Sequence, residues 1–187
     1  MLTRQIRRFW KDDSAAVAME TVLITPVLVW TFIASFVFFD AFRTYNSSIK
    51  ATYAVADIVS RQTNMVYAYD IEGMAQIFEH LVRNNGDARL RVTQIFYDGV
   101  NDRHTVDWSY GTNGEARLFT SNMVDIEELL PAMAHAERVI LVQSFIPYQP
   151  IFNTGLDIIT FRNFTVTRPR YAGQVPFDAS QTAFPSS

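Results

Sequence analysis

The chain has 187 residues and a formal net charge of −3, with 49% apolar and 14% aromatic side chains and no cysteine. That length leaves room for one small domain beyond any anchor, and the acidic balance argues against a nucleic-acid partner. The missing thiol excludes a cysteine nucleophile, a zinc knuckle and any disulfide, so the domain must be held by its core alone.

Arg4, Arg7, Arg8 and Lys11 crowd a short leader. Beyond it, Thr21 to Phe39 reads TVLITPVLVWTFIASFVFF without an ionisable side chain, Asp40 follows at once, and Glu20 is the only charge between Ser14 and Phe39. A helix of about 20 such residues spans the roughly 30 Å hydrocarbon layer of a bilayer. By the positive-inside bias the leader stays cytoplasmic and everything after about residue 40 is exported. The leader takes four of the 16 basic and two of the 19 acidic residues, so the remainder is the more acidic part, at −5.

A cleaved secretory signal has an apolar core of about 7 to 15 residues and a small-x-small cleavage site directly after it. Here the run is longer, and the triplets Ala16 to Ala18 and Ala54 to Ala56 lie before it and well beyond it. A plain uncleaved signal anchor fits those facts. The junction itself offers more. Asp12, Asp13 and Ser14 lead into the small pair Ala15 and Ala16, then Val17, Ala18, Met19 and Glu20. This resembles a class 3 signal, the substrate of a prepilin peptidase, in which a small residue, usually Gly, precedes the cut and Glu is the fifth residue after it. The resemblance implies a cut between Ala15 and Ala16, with Glu20 as the fifth residue of the product and Ala15 where the family usually has Gly.

A carboxylate inside an apolar segment is costly and marks a functional position. Cleavage would create an α-amino group on Ala16, largely protonated at neutral pH because such groups titrate near 7.7 to 8.0. Glu20 of one subunit would pair with the new amino terminus of a neighbour and set register. At 4 Å and an effective dielectric near 20 that pair is worth on the order of 4 kcal/mol, against an insertion cost of roughly 2.5 to 3.5 kcal/mol for a charge at a helix centre. Pro26 follows six residues later. A proline there removes a backbone donor and bends the helix, which membrane helices tolerate. Glu20 and Pro26 together resemble the TadE/TadF group of pseudopilins from the tight-adherence (Flp-type) pilus system.

Past the apolar run, Phe42, Tyr45, Ile49, Tyr53, Ala56 and Val59 recur every three or four residues, with Arg43, Asn46, Lys50 and Asp57 off that stripe. This predicts one rod from Val17 to Arg61, on the order of 65 Å long, apolar all round below and amphipathic above, where it meets a head. Asp70 offers a helix N-cap before Met74, Ile77, Phe78, Leu81 and Val82, and Asn85 with Gly86 closes that second helix.

The period then drops to two. Leu90 and Val92 alternate with Arg89 and Arg91 in a strand running through Ile95 to Tyr97, which turns at Asp98 and Gly99. Val106, Trp108 and Tyr110 form one face of a second strand, and Asn113-Gly114 supplies a hairpin turn into a third, Glu115 to Phe119, completing a meander. A short helical piece covers Val124 to Leu130 and ends at Pro131. Arg138 to Ile146, with its VILV run, reads as the most buried strand, and Phe161 to Thr167 as the last. Ala172 to Ser187 lacks periodicity and reads as a mobile tail. The strand with Trp108, the pair Leu130-Pro131, the strand leading to Tyr148 and Pro150, and the closing Arg168, Pro169, Arg170 and Tyr171 also resemble the TadE-like pattern.

The fold class expected is α+β and pilin-like. Residues 1–15 form the basic leader, 16–62 a transmembrane and stem helix, 63–171 a periplasmic head with an antiparallel sheet, and 172–187 a flexible tail. Chemistry is sparse. There is no GxSxG elbow and no phosphate-cradling glycine loop. His80, His104 and His135 are scattered, and Asp98, Asn101, Asp102, His104 and Asp107 match no EF-hand spacing, so they read as a solvated turn. Asn46-x-Ser48 and Asn163-x-Thr165 fit a glycosylation pattern but fall on the stem and in a strand. The aromatics Tyr148, Phe152, Phe161, Phe164 and Tyr171 read as filling a small disulfide-free core, with an adhesive or subunit-docking surface as the alternative that solvent exposure would reveal.

No catalytic residue, metal or other cofactor is expected. The family resemblance implies a non-catalytic minor pilin or pseudopilin in the bacterial inner membrane, its amino terminus cytoplasmic and its head periplasmic. Its partners would be a prepilin peptidase, other pilins or pseudopilins, inner-membrane Tad assembly proteins and membrane lipid. A periplasmic binding or enzyme domain on an uncleaved anchor, and a scaffold subunit of a related secretion machine, are the alternatives.

Overall fold

Helix α1, Asp13–Ser60, carries the whole apolar run and continues on either side of Pro26. It belongs to a computed structural model in which residues 13–83, 87–152, 155 and 157–181 are described. The chain divides into two units. The first holds α1 as far as Phe42 with the connection Gln149–Asp157, and the second holds Arg43–Tyr148 and Ile158–Ser187. The class is α+β: a long amino-terminal apolar helix followed by a small head with a four-stranded antiparallel sheet.

In the second unit the last turns of α1 bury Ser48, Ala51, Thr52, Val55, Ala56 and Val59. The expected stripe is therefore met at Ala56 and Val59 and displaced before them. Phe42 and Tyr53 are exposed, at 67% and 60%, while small and hydroxyl residues face the sheet. Asn163 Nδ2 donates to Ser48 Oγ at 2.7 Å, and Thr52 Oγ1 meets Ser144 Oγ at 2.8 Å. Thr52 Oγ1 also donates to the Ser48 carbonyl at 2.7 Å. The helix ends where the Arg170 backbone N–H caps the Ser60 carbonyl at 2.8 Å.

After the two-residue strand β1, Val66–Tyr67, helix α2 spans Ala68–Val82. It begins two residues before Asp70. Asp70 is not its N-cap but lies in its first turn, accepting a bond from the Tyr67 N–H at 2.9 Å, because a carboxylate at the third helical position reaches back as well as a cap reaches forward. Ile71, Met74, Ala75, Phe78 and Val82 are buried, whereas Ile77 and Leu81 of the expected stripe are about half exposed. Arg83 ends the helix with φ of 58°; Asn85 and Gly86 lie outside the described residues.

The sheet contains β2 (Arg89–Asp98), β3 (Arg103–Gly111), β4 (Arg138–Tyr148) and β5 (Ile159–Thr167), in the order β3-β2-β4-β5. Strand β4, the VILV strand, lies between β2 and β5 and is buried on both faces. On one face Leu90, Val92, Ile140, Val142 and Ile146 meet α1 and α2 in the main core. On the other, Ile95, Val139 and Leu141 join Leu118, Met123 and Ile126 in a smaller one. The short helix α3, Val124–Glu127, contributes to this second layer.

Two expectations about β3 fail for one reason each. Gln94 pairs with Trp108 and Ile95 with Val106, so Asp107 is a bulge. One extra residue reverses the faces, and Val106 packs on the smaller core while Trp108 and Tyr110 pack on the main one. No third meander strand forms at Glu115 to Phe119. The turn is there, with Asn113 and Gly114 both at positive φ, but Gly111 lets the chain double back so closely that a Cβ would lie 2.1 Å from the Glu115 carbonyl oxygen. The segment then crosses the sheet face, where the Leu118 N–H donates to Ser109 Oγ at 2.9 Å.

The region expected to be a mobile tail is partly docked. Val175 is fully buried, the Trp108 indole donates to its carbonyl at 2.9 Å, and its own N–H donates to Gln94 Oε1 at 2.7 Å. Strand β6, Phe177–Asp178, pairs in parallel with β1. Residues 182–187 lie outside the described residues.

Candidate functional site

Two places in the chain hold chemistry. The first is the amino-terminal segment. Ala15 and Ala16 lie in the first turn of α1, with their side chains outside the described residues, and residues 1–12 of the leader are also outside them. Glu20 sits one turn further on, exposed, and among the described residues no side chain pairs with it. Around it Val22, Leu23, Val27, Leu28, Trp30, Phe32, Phe36 and Phe39 are all more than half exposed. Only 11% of the most apolar window of this helix is buried. By length and composition this helix is long and apolar enough to cross a membrane, and its apolar window is mostly exposed where the core helix of a soluble protein would be mostly covered.

Its hydroxyls are turned inward. Thr21, Thr25, Thr31 and Ser35 each donate to the carbonyl four residues earlier, at 2.6 to 2.9 Å. A hydroxyl that bonds its own helix costs little in hydrocarbon. Among the described residues Glu20 has no such bond to its own helix, and it is the charged group of this stretch. Pro26 lacks an N–H, which leaves the Val22 carbonyl without its helical donor.

The second place is the head. The turn between β2 and β3 satisfies itself: Asp98 accepts from Asn101 Nδ2 at 2.6 Å and from the Val100 N–H at 3.0 Å, and those bonds hold its carboxyl below the ordinary value of 3.8. Tyr97 donates to Asp102 at 2.6 Å, a bond that raises the phenol's pKa. His104 pairs with Glu127, and Asp107 receives Gln94 and Arg138. The oxygens that the sequence gathers are thus dispersed to separate partners, and among the described residues no group of acids and histidines is arranged to hold a metal.

The sheet face beyond the smaller core carries the arginines that alternate with Leu90 and Val92 in β2. Cross-strand pairing sets Arg89, Phe145 and Arg162 in one row and Arg91, Gln143 and Phe164 in the next. The guanidinium carbons of Arg89, Arg91 and Arg162 lie 5.7, 5.4 and 6.0 Å from the Phe145 ring centroid. Glu115 pairs with Arg89 at 2.8 Å and approaches Arg91 at 3.8 Å. Burial pushes the Arg91 guanidinium's pKa down, and Glu115 opposes that. Arg162 meets no carboxylate among the described residues. Phe152, Phe164 and Tyr171, expected as core, are exposed at 54%, 44% and 69%.

No protein-family model, curated protein or solved structure matches this chain. Its chemistry therefore rests on its own residues. The spacing of Ala15, Ala16, Glu20 and Pro26 was visible in the sequence. The arginine face was not, because Arg162 is about 70 residues from Arg89 and Arg91 and only strand register unites them.

Proposed function

We propose that this chain is a minor pilin or pseudopilin of the TadE/TadF kind. A prepilin peptidase cuts it between Ala15 and Ala16, α1 holds it in the inner membrane, and the head lies on the periplasmic side, where it takes part in assembling a tight-adherence pilus. The role is non-catalytic.

The observation that carries this reading is Glu20. It is the lone charge of the apolar run between Ser14 and Phe39, where the hydroxyls of Thr21, Thr25, Thr31 and Ser35 bond within the helix, and it is the fifth residue after the proposed cut. Pairing with a neighbour's Ala16 amino group offsets the cost of placing it there. An anchor with no further task gains nothing from that carboxylate. The basic residues at 4, 7, 8 and 11 favour a cytoplasmic leader.

Glu20→Gln keeps the shape and removes the charge. In the native host the variant is expected in the membrane fraction at the normal level but missing from sheared surface fibres and from crosslinks to other pilins. Normal incorporation would refute the assembly role, and a leader left intact in the wild type would favour a periplasmic domain on an uncleaved anchor.

A further inference from the structure

The two edges of the sheet are treated differently. Strand β3 is bulged at Asp107, and its Val106 N–H is taken by Thr120 Oγ1 at 3.0 Å. Strand β5 has neither protection. Its register with β4 is unbroken from Ile159 to Thr167, it contains no proline and no lysine, and among the described residues no hydrogen bond reaches its backbone from the outer side. Long, unblocked edges of this kind are templates for another strand. Along the exposed face of β5, Arg162 and Phe164 alternate. Behind Arg162 stand Phe145 and Arg89, and behind Phe164 stand Gln143 and Arg91. Glu115 pairs with Arg89 and approaches Arg91, while Arg162 meets no carboxylate among the described residues, leaving the face electropositive on a chain whose overall charge is −3.

We propose that the outer edge of β5 receives an extended acidic segment of a partner protein as a fifth strand. The unpaired N–H and C=O groups supply main-chain bonds at peptide spacing, which a small anion or a saccharide does not match. Side chains of an added strand alternate faces, so a residue opposite Arg162 and the one two further on, opposite Phe164, lie on the arginine side. The first is an Asp or Glu and the second is apolar. A bidentate carboxylate there completes the row that Arg89 and Phe145 begin.

The test is fluorescence anisotropy of a labelled Glu/Val peptide of repeating Glu-Thr-Val-Thr, which sets Glu and Val two positions apart on one face, titrated with the full-length protein in detergent micelles. It is expected to bind, whereas the same peptide with Lys in place of Glu and a Glu/Val peptide N-methylated at every second residue do not. Arg162→Ala, at an exposed position, weakens binding about tenfold or more, the scale of a charge-assisted bond; Arg103→Ala, far from this edge, leaves it unchanged. Absence of binding by the Glu/Val peptide overturns the proposal. So does undiminished binding of the N-methylated peptide together with displacement by polygalacturonate or inorganic phosphate, which describes an anion site without strand addition. Leader processing and membrane anchoring do not depend on either outcome.

Discussion

Thr52 and Ser144 show how a few side chains decide which side of the upper α1 meets the sheet. Their hydroxyls touch at 2.8 Å with both residues essentially buried, and Ser48 and Asn163 repeat the arrangement one turn away. Periodicity that counts only apolar residues sets the stripe on Phe42, Tyr45, Ile49, Tyr53, Ala56 and Val59. Ala56 and Val59 are buried as that stripe requires, but nearer the amino end the buried row runs through Ser48 and Thr52, one residue out of phase with Ile49 and Tyr53, about 100° around the axis. Small residues allow close approach, and hydroxyls that find partners lose little on burial, so polar letters hid a core face. Thr52→Val is expected to destabilise the head by about 1 to 3 kcal/mol by stranding the Ser144 hydroxyl, and adding Ser144→Ala should recover part of that loss. Chemical denaturation followed by tryptophan fluorescence checks both variants. Equal stability of Thr52→Val and wild type would show that the contact contributes nothing.

At the scale of elements, the VILV strand, β5 and the two long helices were legible because each carries a run or a period. The bulge and the crossing segment were not. A strand with one extra residue alternates like any other in sequence, and the reversal between Val106 and Trp108 exists only against the β2 register. Residues 115 to 119 alternate too, yet Gly111 places the Glu115 carbonyl where a side chain would stand, and this diverts the segment across the sheet. Gly111→Ala is therefore expected to cost about 3 kcal/mol or more, since backbone must move to admit the methyl group. Gly114→Ala, at φ 75° in open space, should cost only about 1 kcal/mol. Denaturant midpoints of the two variants separate close approach from backbone conformation. The reverse ranking would place the constraint in the Asn113-Gly114 turn.

At the scale of the whole molecule, one chain joins two units of different make-up. From Val17 to Phe42 most Val, Leu, Phe and Trp side chains of the helix are exposed, with Ala34, Val37 and Ala41 buried. Residues from Arg43 bury a conventional core against a sheet and keep their charges outside in pairs such as Arg61 with Asp57 and Arg170 with Asp57. That α1 is long and apolar enough to cross a membrane was legible from the first 40 residues, because length and apolarity are local properties. The arginine face and the docked Val175 depend on contacts distant in sequence and appear only in the fold. Intact-mass analysis with amino-terminal sequencing, on protein recovered from membranes of its native host, tests the central claim most directly. The account predicts a mature chain that begins at Ala16 and has lost the residues before it. A mature chain that still carries Met1 to Ala15 would contradict it.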